Sequence, residues 1–327
     1  MTALALFGWI AGWLLFLGFR RCGSVPNLSN LSGKVSIVIP ARDEEGNLPR
    51  LLRSIPGHQV IVVDDCSGDR TREVARHHGA CIVDGTPPPN GWGGKTWASQ
   101  QGANAATGDL LLFLDADTWL EADAFSKIGN ELGSGAMSIA PYQYVPTVRE
   151  QFSAFFNLVM IAAAGPRQLV GQSLLIRRAA YDEIGGHRAV KDEILENFAL
   201  GKRLRTRSRC LLGRGVLNVR MYPNGWRELI DGWSKGFATG AARTSPVRFA
   251  LIAIWINGAF LAVTSPAIYA LFALQLAVLL LRVGSYRALT ALLYPLPLLF
   301  FCAVFARSAL ARTRRSVLWK GRPLHAA

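Results

Sequence analysis

The sequence predicts an α/β domain, a mostly parallel sheet with helices on both faces, set between apolar transmembrane helices at the amino and carboxyl ends. Three observations predict it. Short apolar runs at 35–39, 60–63, 80–83 and 110–114 are separated by helix-like stretches at 47–54, 69–78 and 95–106, which is the spacing of βαβ units. The run LLLFL at 110–114 shows no alternation, so it reads as a strand covered on both faces. The longest uncharged stretches lie at the two ends of the 327-residue chain, of which half the residues are hydrophobic (50%).

Taken in order, residues 2–19 carry no charge and are followed by Arg20 and Arg21. The basic residues follow the apolar run and no small-residue cleavage site is evident, so 1–21 reads as an anchor and not as a cleaved signal peptide. The first strand, VSIVI, is stopped by Pro40, and the second, VIVV, ends in Asp64-Asp65. A third, short strand at 80–83 leads into the loop DGTPPPNGWGG at 84–94, whose prolines and glycines rule out helix and central strand. Such a loop either covers a site or simply connects two elements. The helix at 95–106 then feeds the central strand. Beyond Trp119 the pattern weakens: 136–139 and 172–176 read as shorter strands. The apolar segment 152–164 is too short to span, so it is either interfacial or a core helix. These elements bound a domain at 33–245. A transmembrane region follows at 249–306, then a basic tail at 307–327. Residues 249–281, uncharged with Pro266 near the middle, are expected to cross once, tilted or kinked, and 288–306 to return. If 249–281 crosses twice, 288–306 is re-entrant and turns at Pro295 and Pro297.

The formal net charge of +14 does not point to nucleic acid. Many basic residues flank the apolar segments, among them Arg20, Arg21, Arg243, Arg248, Arg307 and Arg312, as at the cytoplasmic face of a membrane. A further cluster, Lys202, Arg203, Arg205, Arg207 and Arg209, faces headgroups, phosphates or solvent. By the positive-inside rule the amino terminus is outside the cell membrane, and the central domain and tail are in the cytoplasm. The five cysteines show no C-x-x-C spacing, so neither a disulfide framework nor a zinc site is suggested.

Acids gather at strand ends: Asp43, Glu44 and Glu45 after the first, Asp64, Asp65 and Asp69 after the second, Asp115 and Asp117 after the central one. Open α/β sheets bind ligands at the carboxyl ends of their strands. Two carboxylates one residue apart suit Mg²⁺ or Mn²⁺ shared with substrate phosphates. Lys95, at the start of a helix, adds an ammonium where backbone N–H groups favour phosphate. No G-x-G-x-x-G follows the first strand, no P-loop spacing precedes Gly94-Lys95-Thr96 and no G-x-S-x-G elbow occurs; this argues against dinucleotide, P-loop and serine-hydrolase chemistry.

The set VSIVIPARDEE, VIVVDDCSGDRT and GDLLLFLDADT resembles the amino-terminal half of a family 2 glycosyltransferase of the GT-A fold. GWGGKTWASQQGANAA, FSAFFNLVM, GQSLLIRRAAYDEIGGHRAV, ILENFALG and MYPNGWRELIDGWSKGFATGA are similar to membrane glycosyltransferases acting on carotenoid acids, and also to hopanoid-associated ones. The resemblance implies an inverting, metal-dependent transfer of a hexose from a nucleotide diphosphate sugar, UDP-glucose, to a lipid acceptor. It implies that Pro40, Ala41 and Asp43 line the nucleotide pocket, Asp65 contacts uracil, Asp115 holds the ribose or the metal, Asp117 holds the metal itself, and Lys95 faces the diphosphate. His187, Gln172, Trp233 and Lys235 fall on the acceptor side. Family 2 enzymes usually carry an acidic pair near the acceptor, and here the matching residues are Glu196 and Asn197. An amide takes no proton, so Glu196 is the candidate base. A carboxylate acceptor, ionised near pH 7, needs no strong base, and on such an acceptor Asn197→Asp is expected to be close to neutral. A polyprenyl-phosphate sugar transferase and a non-catalytic nucleotide-binding membrane protein are the rival readings.

Overall fold

The computed structural model describes residues 1–23, 34–55, 57–129, 131, 135–313, 318–319 and 322–323; the side chains of residues 235, 236, 238 and 239 and of those beyond 310 lie outside the description. The chain divides into an α/β unit, Arg20–Tyr142 with Pro166–Val219, and a helical unit, Met1–Phe19 with Gln143–Gly165 and Arg220–Ala327.

Ten strands belong to the two sheets described first: β1 (Val35–Ala41), β2 (Gln59–Asp64), β3 (Cys81–Asp84), β4 (Leu110–Leu114), β5 (Thr118–Leu120), β6 (Ala136–Ala140), β7 (Tyr142–Gln143), β8 (Ser173–Arg177), β9 (Arg209–Leu212) and β10 (Leu217–Val219). Seven form one sheet in the order β3-β2-β1-β4-β8-β6-β9, and the short β5, β10 and β7 form a second. The large sheet is parallel in four of its six pairings, with β8 antiparallel to both β4 and β6. The chain reaches β8 after passing through residues 143–165 of the helical unit, so no βαβ crossover dictates its direction. As a result Ser173, at the start of β8, lies opposite Leu114, at the end of β4. Strand β9 was not expected, because its four residues adjoin the arginine cluster and carry too short an apolar run to register.

Helices cover both faces, as the unalternating runs require. Val35, Ile37, Ile39 and Ala41 of β1 and Leu110, Leu112 and Leu114 of β4 pack with α2 (Leu48–Arg53), α3 (Thr71–His77) and α5 (Ala124–Gly129). Val38, Leu111 and Phe113 turn the other way, into the core shared with α4 (Gly94–Ala105), α8 (Arg178–Glu183) and α9 (Glu196–Arg203). Helix α4 is held close to the sheet. A Cβ at Gly102 would lie 2.3 Å from Val38 Cγ1, so only glycine permits the approach. At its other end the Arg178 guanidinium donates to the carbonyls of Ala106 (2.7 Å), Gly108 (2.9 Å) and Ala103 (3.4 Å); a cation there complements the helix carboxyl terminus.

The helical unit contains α1 (Thr2–Phe16), α6 (Val148–Gln151), α7 (Ala154–Ala164), α10 (Trp226–Arg243), α11 (Pro246–Ala262), α12 (Pro266–Val283), α13 (Ala288–Leu292) and α14 (Pro295–Thr313). The segment expected at 152–164 is a core helix: Phe155, Phe156, Leu158 and Ala162 of α7 are at most 1% exposed. Residues 249–281 differ from the expected single kinked helix. They form parts of two helices, α11 and α12, because Pro266 has no N–H to continue a helix and Ser265 before it is extended (φ −139°, ψ 116°). The two run antiparallel beside α1: Gly8 abuts Gly258, while the Trp9 indole donates to Leu271 O and Gln275 to Trp9 O. Arg248, in the first turn of α11, donates to Leu15 O, and Arg282, near the end of α12, to Phe19 O. The end of α1, the start of α11 and the end of α12 thus share one level. Residues 288–306 are likewise broken, between α13 and α14 at Leu293-Tyr294. Among the described residues α12 alone is long and apolar enough to cross a membrane by length and composition; α1, α11 and the apolar part of α14 are shorter. The basic tail side chains beyond 310 fall outside the described residues.

Candidate functional site

Parallel β1, β2 and β4 bring their carboxyl ends to one edge of the sheet. Antiparallel β8 adds its amino end there, where Asp115 N–H donates to Gln172 O (3.1 Å). The loops after β1 and β2 are tied to each other. Asp43 N–H donates to Ser67 Oγ (3.1 Å), Gly68 N–H to the Asp43 carboxylate (2.7 Å) and Glu44 N–H to Thr71 Oγ1 (2.8 Å). Asp43 (φ 53°) and Cys66 (φ 56°) both sit in the left-handed region, which is strained for non-glycine residues and recurs at ligand sites. Asp65, 3% exposed, faces Arg42 at 3.7 Å. Ala41 is buried in the last position of β1.

A cleft at this edge gathers Pro40, Lys95, Asp115, His187, Glu196 and Asn197. Lys95 Nζ lies 2.7 Å from Asp115 Oδ1 and 2.8 Å from Glu196 Oε1, with Gly171 O at 3.4 Å. Burial opposes its charge, yet the two carboxylates outweigh burial and hold the ammonium above the ordinary lysine range. The turn after β4 is fixed by Thr118, whose hydroxyl donates to Asp115 O (2.7 Å). It places Asp117 with a buried Oδ1 that has no hydrogen-bond partner. Burial, then the charges of Asp115 and Glu44, push the Asp117 carboxyl up to about 7, against the opposing pull of Lys95. Glu44 is therefore a third acid facing the D-x-D turn. The sequence placed it at a strand end but gave no reason to single it out.

His187 and Asn197 have roles that the sequence did not disclose. His187 is 1% exposed, packs against Phe113 and exchanges a 2.8 Å hydrogen bond with the Tyr181 hydroxyl. Burial, aided by the Lys95 charge, pushes its pKa down to about 3, so it is a neutral imidazole in the cleft wall. The Asn197 side chain, 4% exposed, donates to Val170 O (3.1 Å) and Gly171 O (2.9 Å). It fixes the loop before β8. These two bonds argue against the expectation that Asn197→Asp is close to neutral, since a carboxylate there would face two carbonyl oxygens. Trp233 belongs to the helical unit. It is stacked on Phe156, and its indole donates to Ser153 Oγ (3.1 Å). The Lys235 side chain lies outside the described residues.

The sequence of residues 36–197 matches the model of the family described as Glycosyl transferase family 2. A 4,4'-diaponeurosporenoate glycosyltransferase of Staphylococcus aureus is 32% identical, over 98% of this chain and 96% of its own. The chain belongs to glycosyltransferase family 2. The family 2 enzyme is also 35% identical to the protein of the same name from Staphylococcus haemolyticus, over 68% of this chain and 66% of that one. Its trace is similar to that of a mannosyltransferase from Pyrobaculum calidifontis solved with GDP-mannose and Mn²⁺ (TM-score 0.55, 16% identity, 94% of this chain and 95% of that one), a GT-A-like α/β fold.

Proposed function

We propose that this family 2 enzyme is membrane-bound and transfers glucose from UDP-glucose, with inversion, to the carboxylate of a carotenoid or other polyisoprenoid acid. The observation that carries the acceptor class is the state of the two residues that match the family's acidic pair. Asn197 has both N–H groups committed to Val170 and Gly171, and the Glu196 carboxylate is paired with Lys95. An acceptor that arrives already ionised suits such a cleft, and a carboxylic acid is ionised near pH 7. The curated relatives are named for such an acid anion. Glu196 stays the base for any acceptor that still carries its proton.

Pro40, Ala41 and Asp43 line the nucleotide pocket in this reading, and Asp65 contacts the base. The buried, unpartnered Asp117 Oδ1 fits a divalent cation, Mg²⁺ or Mn²⁺, with Asp115 as the second carboxylate. Bound there, the cation would neutralise charge on the departing diphosphate. Lys95, in the first turn of α4, offers its ammonium to the same phosphates. The acceptor oxygen bonds to the anomeric carbon while the bond from that carbon to the diphosphate breaks, and the electron pair leaves with the nucleotide. Neutral His187 and the backbone at Gln172 form the acceptor side of the cleft. Membranes carrying the protein should move label from radiolabelled UDP-glucose into a lipid extract rich in carotenoid acids; label that stays water-soluble would sink the proposal.

The apolar helices are the anchor. Arg248 and Arg282 mark the level of the residues just before Arg20 and Arg21, and the positive-inside rule makes that level cytoplasmic. On this reading α1, α11 and α12 cross, α13 and α14 are re-entrant, and the α/β unit and tail lie in the cytoplasm. In a variant without native cysteines, an impermeant thiol reagent applied to intact cells should label Thr264→Cys, in the α11–α12 turn, and spare Ser285→Cys. The reverse pattern would restore a single crossing by 249–281.

A further inference from the structure

Lys95 is the one cation among the described residues of the cleft wall. A lysine in the first turn of a helix is disfavoured by the helix dipole, so α4 itself gives no reason for it. Its partners do. Asp115 ends the central strand on the donor side, and Glu196 starts α9 on the side assigned to the acceptor; the ammonium joins them at 2.7 and 2.8 Å. The third contact, to Gly171 O at 3.4 Å, reaches the loop that Asn197 fixes. The ammonium is thus held by two ion pairs and one hydrogen bond to the protein.

We propose that Lys95 holds the place of a divalent cation in the donor-free enzyme, neutralising Asp115 and Glu196 until a cation arrives with a diphosphate. The inference rests on the reading of Asp115 and Asp117 as the metal-holding pair. A bare cation seeking Asp115 must break a half-buried ion pair, where attraction is stronger than in water. A cation that comes with a diphosphate brings negative charge to which Lys95 can turn, so the ammonium changes partner without losing one. Metal and nucleotide then bind with positive coupling. Lys95 is thus a positioning residue that also links the two sides of the cleft, because the same turn towards phosphate releases Glu196.

The test is Mn²⁺ binding to the solubilised full chain, read by electron paramagnetic resonance with and without UDP. The wild-type protein should bind Mn²⁺ weakly alone and at least about tenfold more tightly with UDP. Lys95→Met should bind Mn²⁺ alone at least about tenfold more tightly than wild type and lose most of the UDP enhancement. Lys95→Arg, which keeps the charge, should restore the wild-type pattern and controls for folding. If Lys95→Met binds free Mn²⁺ no better than wild type while UDP still enhances binding, the place-holding role is wrong. If the wild-type protein takes up no Mn²⁺ even with UDP, the metal reading itself fails and this inference with it.

Discussion

Asp117→Ala is expected to lower transfer by about a thousandfold or more while the protein stays folded. The expectation follows from what the side chain does without a substrate. Its Oδ1 is buried and makes no hydrogen bond, and burial and the neighbouring acids push its carboxyl up to about 7. When ionised, a carboxyl in that position is a net cost to the resting fold, because burial and the neighbouring acids outweigh the pull of Lys95. Removing it should leave the melting temperature unchanged or higher, and Asp117→Asn should behave alike. Loss of activity together with gained stability would mark a residue kept for a cation. Full activity of Asp117→Ala in EDTA-treated membranes would end the metal proposal.

Asn197→Asp is expected to cost about 2–4 kcal/mol of stability and most of the activity. The amide satisfies two carbonyls, those of Val170 and Gly171, at 3.1 and 2.9 Å. A carboxylate of the same shape would leave both acceptors unpaired and set a third oxygen against them in a site 4% exposed. The change restores the acid common in the family, yet in this chain it should not restore a base. Denaturation of the solubilised protein gives the stability, and transfer assayed in parallel on a carboxylic acid and a hydroxyl lipid gives the chemistry. A variant as stable as the parent that gains hydroxyl transfer would show that the loop does not depend on the amide.

The parallel half of the sheet was legible because its central strands, β1 and β4, are buried on both faces, although β1 runs on through Pro40, expected to stop it, to Ala41. The strand-end acids followed from the same pattern, since parallel strands place their ends together. Legibility failed where long-range contacts decide. The direction of β8 depends on the chain's passage through the helical unit, and β9 is four residues beside an arginine cluster. The break at Ser265-Pro266 was visible as a proline, but a proline also starts a helix, and nothing local distinguishes a kink from a turn between two helices. At the site, sequence placed Lys95, Asp115 and Glu196 on separate motifs and could not show one ammonium joining them. Asn197 read as a lost base, whereas its two backbone partners, 26 and 27 positions earlier, make it a structural amide.

The most direct test of the account is the chemistry of the new bond. The labelled lipid formed from UDP-glucose should be isolated and treated separately with mild alkali and mild acid. A sugar attached through a carboxylate is an ester, so mild alkali should release the label with recovery of the free carotenoid or polyisoprenoid acid. An alkali-stable product, or one cleaved by mild acid to a lipid phosphate, would contradict it.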